Sequence, residues 1–314
     1  MDNKVYLSVL TPAASSGSIG LSLTTIGASS DVTVVVSVTG IASGNSEVAI
    51  AQSIASQLNT AIVNTGALYS KAPVSLPGIP QASFQLTITD HVICVWSQAV
   101  FDTTVTSNTT GAIIAVRAKP ALVTVANART YGAVMGQLWT GLADSQIAIL
   151  IGILSDEITS SIRNNIVMST YLIDTWVEGL EGYRLPVYPV ASTDTAYVLD
   201  PWTIYSITSI IYPLPVNLFT IQNDGWIMYL QSQDLVFDKW DPFAFGNQFR
   251  ITWVAGWDHI PESVILALIR LSPYYLSNAS SVFDSLKGGT SSVKYKDQDK
   301  QKISIINSLG SLKL

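Results

Sequence analysis

Asp31-Val-Thr-Val-Val-Val-Ser-Val-Thr39 runs through Gly40 and the cluster Ser43-Gly44-Asn45 into Ser46-Glu47, and the periodicity changes across that turn. The first nine residues are β-branched almost throughout and predict a strand. Gly40 and the Ser-Gly-Asn cluster end it. Ser46 is suited to cap the next element, and Glu47 places a carboxylate in its first turn. Ile50, Ile54, Leu58 and Ile62 then recur at every fourth position. That spacing puts them on one face of a helix of about four turns. A strand feeding an amphipathic helix assigns this part of the chain to the α+β class.

Working outward, a loop with Pro73, Pro77 and Pro80 follows the helix. Two strands are expected next, Ser83–Thr89 and Val92–Val100, joined through Asp90-His91. Thr103 to Gly111 reads as a polar loop and Ile113–Val116 as a short final strand. Lys119-Pro120 is the expected boundary of this unit, because a residue before proline resists helix. Beyond it, Asn127–Trp139 predicts a short helix. Asp144 or Ser145 is expected to cap a longer one carrying Ile147, Leu150, Ile151, Leu154, Ile158 and Ile162. Residues 166–254 hold short β-like runs: Met168–Val177, Tyr183–Tyr188, Thr203–Tyr212, Trp226–Leu230 and Phe249–Val254. Gly256-Trp257-Asp258-His259-Ile260-Pro261 then turns the chain into a last helix with Val264, Ile265, Leu268, Ile269 and Leu271, which Pro273 kinks or ends. The expected division is an α+β accessory domain (1–120), a helical domain with a β insert (121–280) and an extended C-terminal arm (281–314).

Only 12% of the 314 residues are charged, about half the usual share. Uncharged surface is cheap to desolvate, which suits an assembly subunit. Residues 1–120 hold 4 basic and 5 acidic groups, residues 121–280 hold 6 and 14 (net −8), and residues 281–314 hold 6 and 3 (net +3). A basic tail on an acidic body points to an acidic surface as the tail's partner. The single cysteine, Cys94, permits no internal disulfide, which fits a reducing compartment. Met1–Leu10 lacks a long apolar core and is not expected to be a signal peptide. The most apolar run, Ile147–Leu154, is far shorter than the ~20 residues a membrane helix needs.

No residue set stands out for catalysis. His259 sits at a helix entry and is read as capping it, and His91 is expected to be exposed in a hairpin turn. Cys94, between Ile93 and Val95, reads as a buried small hydrophobe. No Cys/His spacing suits zinc, and no glycine loop carries the Lys and Ser/Thr of a phosphate cradle. Asp156-Glu157 and Glu178/Glu181 lack a partner base and read as solvated. The sequence therefore assigns no catalytic, cofactor-binding or metal residue and predicts a non-enzyme. Aromatics crowd late: Trp226, Trp240, Trp253 and Trp257 with Phe237, Phe243, Phe245 and Phe249. Among them Trp240, Phe243 and Phe245 lie in an expected loop and are the candidates for subunit contacts.

Three stretches carry a family likeness: the helix Asp144–Ile166 with the β segment Thr170–Val190; Phe249-Arg-Ile-Thr-Trp-Val-Ala-Gly-Trp-Asp-His-Ile-Pro into its helix; and the small-polar tail Ser277–Lys296. In order and spacing they resemble the head–tail adaptor (connector) proteins of tailed bacteriophages. Residues 1–120 resemble, more loosely, a small α+β module of phage tail-tube and sheath proteins. The adaptor likeness implies a virion protein at the head–tail junction, assembled in the host cytoplasm into a ring of twelve copies. It implies helices Asp144–Ile166 and Pro261–Ser272 around a channel through which DNA slides without sequence-specific binding, and an acidic lining would suit such sliding. It implies the portal protein and tail or stopper proteins as partners, besides other copies of the chain, and no membrane. It also implies a portal-binding arm: Val293, Lys294, Tyr295 and Lys296 as an added strand, and Ile303, Ile306 and Leu309 as an apolar anchor. The alternative is a receptor- or carbohydrate-binding tail protein, which exposed aromatics around Tyr69 or Trp96 would favour.

Overall fold

Strand β5 (Val92–Ser97) is buried at all six positions, and the reason organises the molecule. Side chains alternate across a strand. Here Val92 and Cys94 enter one apolar cluster, while Ile93 and Val95 enter another. The computed structural model describes residues 4–26, 33–64, 84–97, 100–134, 139, 141–162, 166–176, 182–184, 198–202, 219–221, 226–229, 248–284 and 300–309. Strand β1 (Lys4–Val9) is double-faced as well: Tyr6 and, just past its end, Leu10 face one cluster, and Leu7 and Val9 the other. Both strands lie inside an antiparallel sheet of order β4-β5-β1-β7, with β4 at Phe84–Thr89 and β7 at Ile114–Arg117.

On one side of this sheet lie helix α1 (Glu47–Asn64) and a second antiparallel sheet of order β3-β2-β6. That sheet comprises β2 (Gly17–Thr25), β3 (Thr33–Ile41) and β6 (Phe101–Asn108). The helix forms as its sequence predicts: Ser46 Oγ accepts the Ala49 N–H at 3.3 Å, and Ile50, Ile54, Leu58 and Ile62 are all buried. On the other side lie α2 (Val125–Val134), α3 (Asp144–Ser161) and α4 (Glu262–Asp284). Their core takes in Tyr6, Leu10, Val92 and Cys94 together with Ile151, Leu154, Val264 and Leu268. One apolar cluster thus crosses residue 120.

Between α3 and α4 the chain makes strands only, among the described residues. Strands β8 (Ser169–Trp176), β10 (Val198–Trp202) and β13 (Gln248–Ala255) form one antiparallel sheet in the order β10-β13-β8. Strands β9 (Gly182–Arg184), β11 (Phe219–Ile221) and β12 (Trp226–Tyr229) form another, in the order β11-β12-β9. The order helix, β insert, helix is as read from the sequence, and the whole is mixed α and β.

Several local expectations change. The polar loop expected at Thr103–Gly111 is largely strand β6, paired along β2 from Thr25↔Phe101 to Ile19↔Asn108. Phe101 and Thr103 are buried and Asp102 and Thr104 exposed, a two-residue alternation that threonine-rich composition conceals. Neither Asp144 nor Ser145 caps α3; its N-cap is Ala143, whose N–H donates to Gln146 Oε1 at 2.9 Å. Pro273 does not end α4, which runs on to Asp284. Proline denies the Ile269 carbonyl its helical donor, and the Ser272 hydroxyl supplies one instead at 2.7 Å. The arm is not extended throughout: residues 300–307 form a helix, α5. The expected strand Thr203–Tyr212 lies outside the described residues.

Candidate assembly surfaces

The turn after β13 and the residue before β8 are held by three residues of the β4–β5 hairpin, Thr87, Thr89 and Asp90. Gly256 has φ 127°, and a Cβ there would overlap the Val167 carbonyl. Only glycine accommodates that approach without strain. Thr89 Oγ1 donates to the Trp257 carbonyl at 3.1 Å and accepts the Met168 N–H at 2.8 Å. Thr87 Oγ1 donates to the Met168 carbonyl at 2.6 Å. Asp90 sits in the hairpin turn with φ 49°, and its Oδ2 accepts the Ile260 N–H at 2.8 Å. The start of α4 is therefore held by a carboxylate from the first half of the chain. His259, expected to cap this entry itself, instead bonds Asp90 through its ring and is exposed. That hydrogen bond, with the charges of Asp90 and Asp258, raises its pKa above the ordinary histidine value.

His91 corrects the sequence reading more sharply. It is buried, and its Nε2 lies 3.0 Å from the Ala121 carbonyl. The ring is neutral with Nε2 as donor, and burial lowers its pKa to about 4. Cys94 is buried as expected, and burial pushes its thiol up. Trp96 is buried at 5% exposure, so it offers no aromatic platform, and Tyr69 lies outside the described residues. Among the described residues no three His, Cys, Asp or Glu side chains are placed to hold a metal, and no helix is long and apolar enough to cross a membrane.

Helix α3 presents the clearest uncommitted face. Ile147, Ile151, Leu154 and Ile158 are buried, while Ile149 and Ile153 are 67% and 45% exposed. The two lie one turn apart, beside exposed Ser145 and Gln146. The acidic residues of α3 are engaged elsewhere: Asp144 with Arg129, Asp156 with Arg117 and Glu157 with the Tyr275 hydroxyl. An apolar outer face suits packing against protein better than lining a channel for polyanionic DNA.

Residues 300–309 are folded back on the body. Leu309 is buried at 1% exposure in the cluster of α2, α3 and α4, and Ile305 and Ile306 pack against it. The Tyr274 hydroxyl donates to Gln301 Oε1 at 2.8 Å, and Lys302 Nζ stands 4.6 Å from the centre of the Tyr275 ring. Ile303 faces away and is 56% exposed. Of the anchor expected from the sequence, then, Leu309 and Ile306 are taken up by this chain's own core and Ile303 is free. Val293, Lys294, Tyr295 and Lys296, and the loop residues Trp240, Phe243 and Phe245, lie outside the described residues.

No protein-family model matches the chain, and no curated protein matches it. Among solved structures it is similar to a chain described as the neck of an empty GTA particle computed with C6 symmetry. The identity is 17%, the match covers 51% of this chain and 80% of that one, and the TM-score is 0.35.

Proposed function

We propose that this chain is a structural, non-enzymatic subunit of the head–tail junction of a tailed bacteriophage, an adaptor forming a ring of about twelve copies between portal and tail. The observation that supports it best is the stretch Phe249–Ile269. Its sequence likeness to adaptors rests on a strand, an Ala-Gly-aromatic step and a helix opened by proline. Each has a structural reason here: β13, the glycine contact with Val167, and the turn clamped by Asp90. In this reading α3 packs through Ile149 and Ile153 against a neighbouring copy. The channel lining falls to other acidic surface of residues 121–280, and DNA slides through without sequence readout. The segments 1–120, 121–280 and 281–314 act as accessory domain, helical ring-former with β insert, and arm toward the portal. The first two work as one body, because they share a core. Tail or stopper proteins bind the opposite face.

The test is assembly. Purified chain, alone and mixed with portal protein, is followed by light scattering and imaged in negative stain. Rings, or a stable complex with portal at micromolar concentration, are expected. A chain that stays monomeric and ignores portal under all such conditions would overturn the adaptor reading.

A further inference from the structure

Residues 300–309 fill a groove beside α4: Leu309 is buried, Ile305 and Ile306 pack against the same cluster, the Tyr274 hydroxyl donates to Gln301 Oε1 and Lys302 Nζ stands over the Tyr275 ring. None of these contacts is specific to the chain's own copy of the groove. Asp284 ends α4 and Lys300 begins α5, with residues 285–299 between them, so fifteen residues join the two. Fully extended they reach about 50 Å, comparable with the roughly 50 Å width of a folded chain of this size. The connection is long enough to place α5 on the same groove of an adjacent copy. Charge is compatible with such a transfer: residues 281–314 carry net +3 and residues 121–280 net −8, so each tail is attracted to a neighbour's body as it is to its own.

We infer that the groove on α4 bounded by Tyr274 and Tyr275 is an exchange site, filled by the chain's own α5 in the free subunit and by the neighbour's α5 in the ring. The inference rests on the ring reading. Exchange keeps every contact that α5 makes and converts it into an intersubunit one, which is why swapping of this kind costs little. It also turns Leu309 into an intersubunit anchor. In a closed ring every groove stays filled, because each copy gives one helix and receives one. Ile303, on the outer side of α5 in either position, remains available to a third protein.

Two variants test it, each with one added cysteine: Tyr274→Cys and Gln301→Cys. Gln301 is exposed and Tyr274 half-buried, and the native Cys94 is buried. In a mixture of the two, a short bis-maleimide can join position 274 to position 301 only between copies. The mixture is concentrated until it oligomerises, treated, and run on a denaturing gel. Covalent dimers joining positions 274 and 301, identified by peptide mass, are expected in the oligomer and not in dilute subunits. A double variant, Tyr274→Cys/Gln301→Cys, reports docking within one chain. Oligomers in which the double variant links only within chains, and the mixture gives no dimer, overturn exchange and leave the ring reading standing. Oligomers with neither link mean that α5 has left the groove for another protein, which overturns it equally. A chain that oligomerises neither alone nor with portal protein, and does not bind portal, overturns the ring reading and the exchange together.

Discussion

His259 Nδ1 lies 2.8 Å from Asp90 Oδ1, a partner 169 residues earlier in the chain. The chain has two histidines, His91 and His259, so proton NMR can follow both imidazoles. His259, held by Asp90, should titrate above the ordinary value of about 6.5. His91 should remain neutral down to about pH 4. Asp90→Asn keeps an acceptor for the Ile260 N–H and tolerates the left-handed turn while removing the charge. It should lower the His259 midpoint toward the ordinary value. An unchanged midpoint in that variant would show that the pair does not form in solution.

Burial of neutral His91 links folding to pH. Its folded pKa lies below its unfolded one, so its contribution is fully present above about pH 6.5. It is lost as pH falls toward about 4. The separation corresponds to on the order of 3 kcal/mol. Urea unfolding should give a lower midpoint at pH 5 than at pH 7. His91→Gln, which can still donate to the Ala121 carbonyl, should reduce that difference. A pH dependence identical in the two proteins would assign the acid sensitivity to carboxylates instead.

Gly256→Ala should be among the most destabilising single-methyl additions in the chain. It combines φ 127° with an overlap on the Val167 backbone, and backbone strain of this kind costs roughly 1–3 kcal/mol before the clash is counted. Gly141, also at positive φ but with open space around it, is the control. Thermal melting should show Gly141→Ala losing clearly less than Gly256→Ala, and equal losses would remove the special role of the Val167 contact.

Leu309 and Ile303 separate folding from partner binding. Leu309→Ala should cost about 2–5 kcal/mol, the range for deleting a buried leucine side chain, and should be visible in melting of the isolated chain. Ile303→Asp, at an exposed position, should leave melting within about 0.5 kcal/mol of the parent. Under the adaptor reading it should weaken portal attachment in a pull-down even at 0.5 M salt, since apolar docking is not screened. A pull-down unaffected by Ile303→Asp would move the portal contact away from α5.

What the sequence showed, and what it hid, follows from how each residue is buried. Ile50, Ile54, Leu58 and Ile62 are visible because one helix face is wet and the other dry. β5 is visible as a strand, but not as a strand buried on both faces. For that reason residues 1–120 read as a self-contained unit, although Tyr6, Leu10, Val92 and Cys94 belong to the core of the helices beyond. β6 was hidden because threonine serves buried and exposed positions alike. His91 was misread because a turn usually faces water, and nothing local announces that the segment from Ala121 covers it. The Asp90–Ile260 clamp joins residues 170 positions apart, and no short-range pattern encodes it.

The position of β1 in its sheet governs the order in which the protein can be made. It is the first strand of the chain, yet its two neighbours are β5 and β7, so its pairings reach to Arg117. At roughly 5–20 residues per second on the ribosome, those partners emerge about 5–20 s after β1 does. Over that interval Leu7 and Val9 have no strand beside them, and closing so long a loop makes the pairing intrinsically slow. Strand β1 therefore stays unpaired in the growing chain until the hairpin of β4 and β5 arrives, and its sheet closes only with β7.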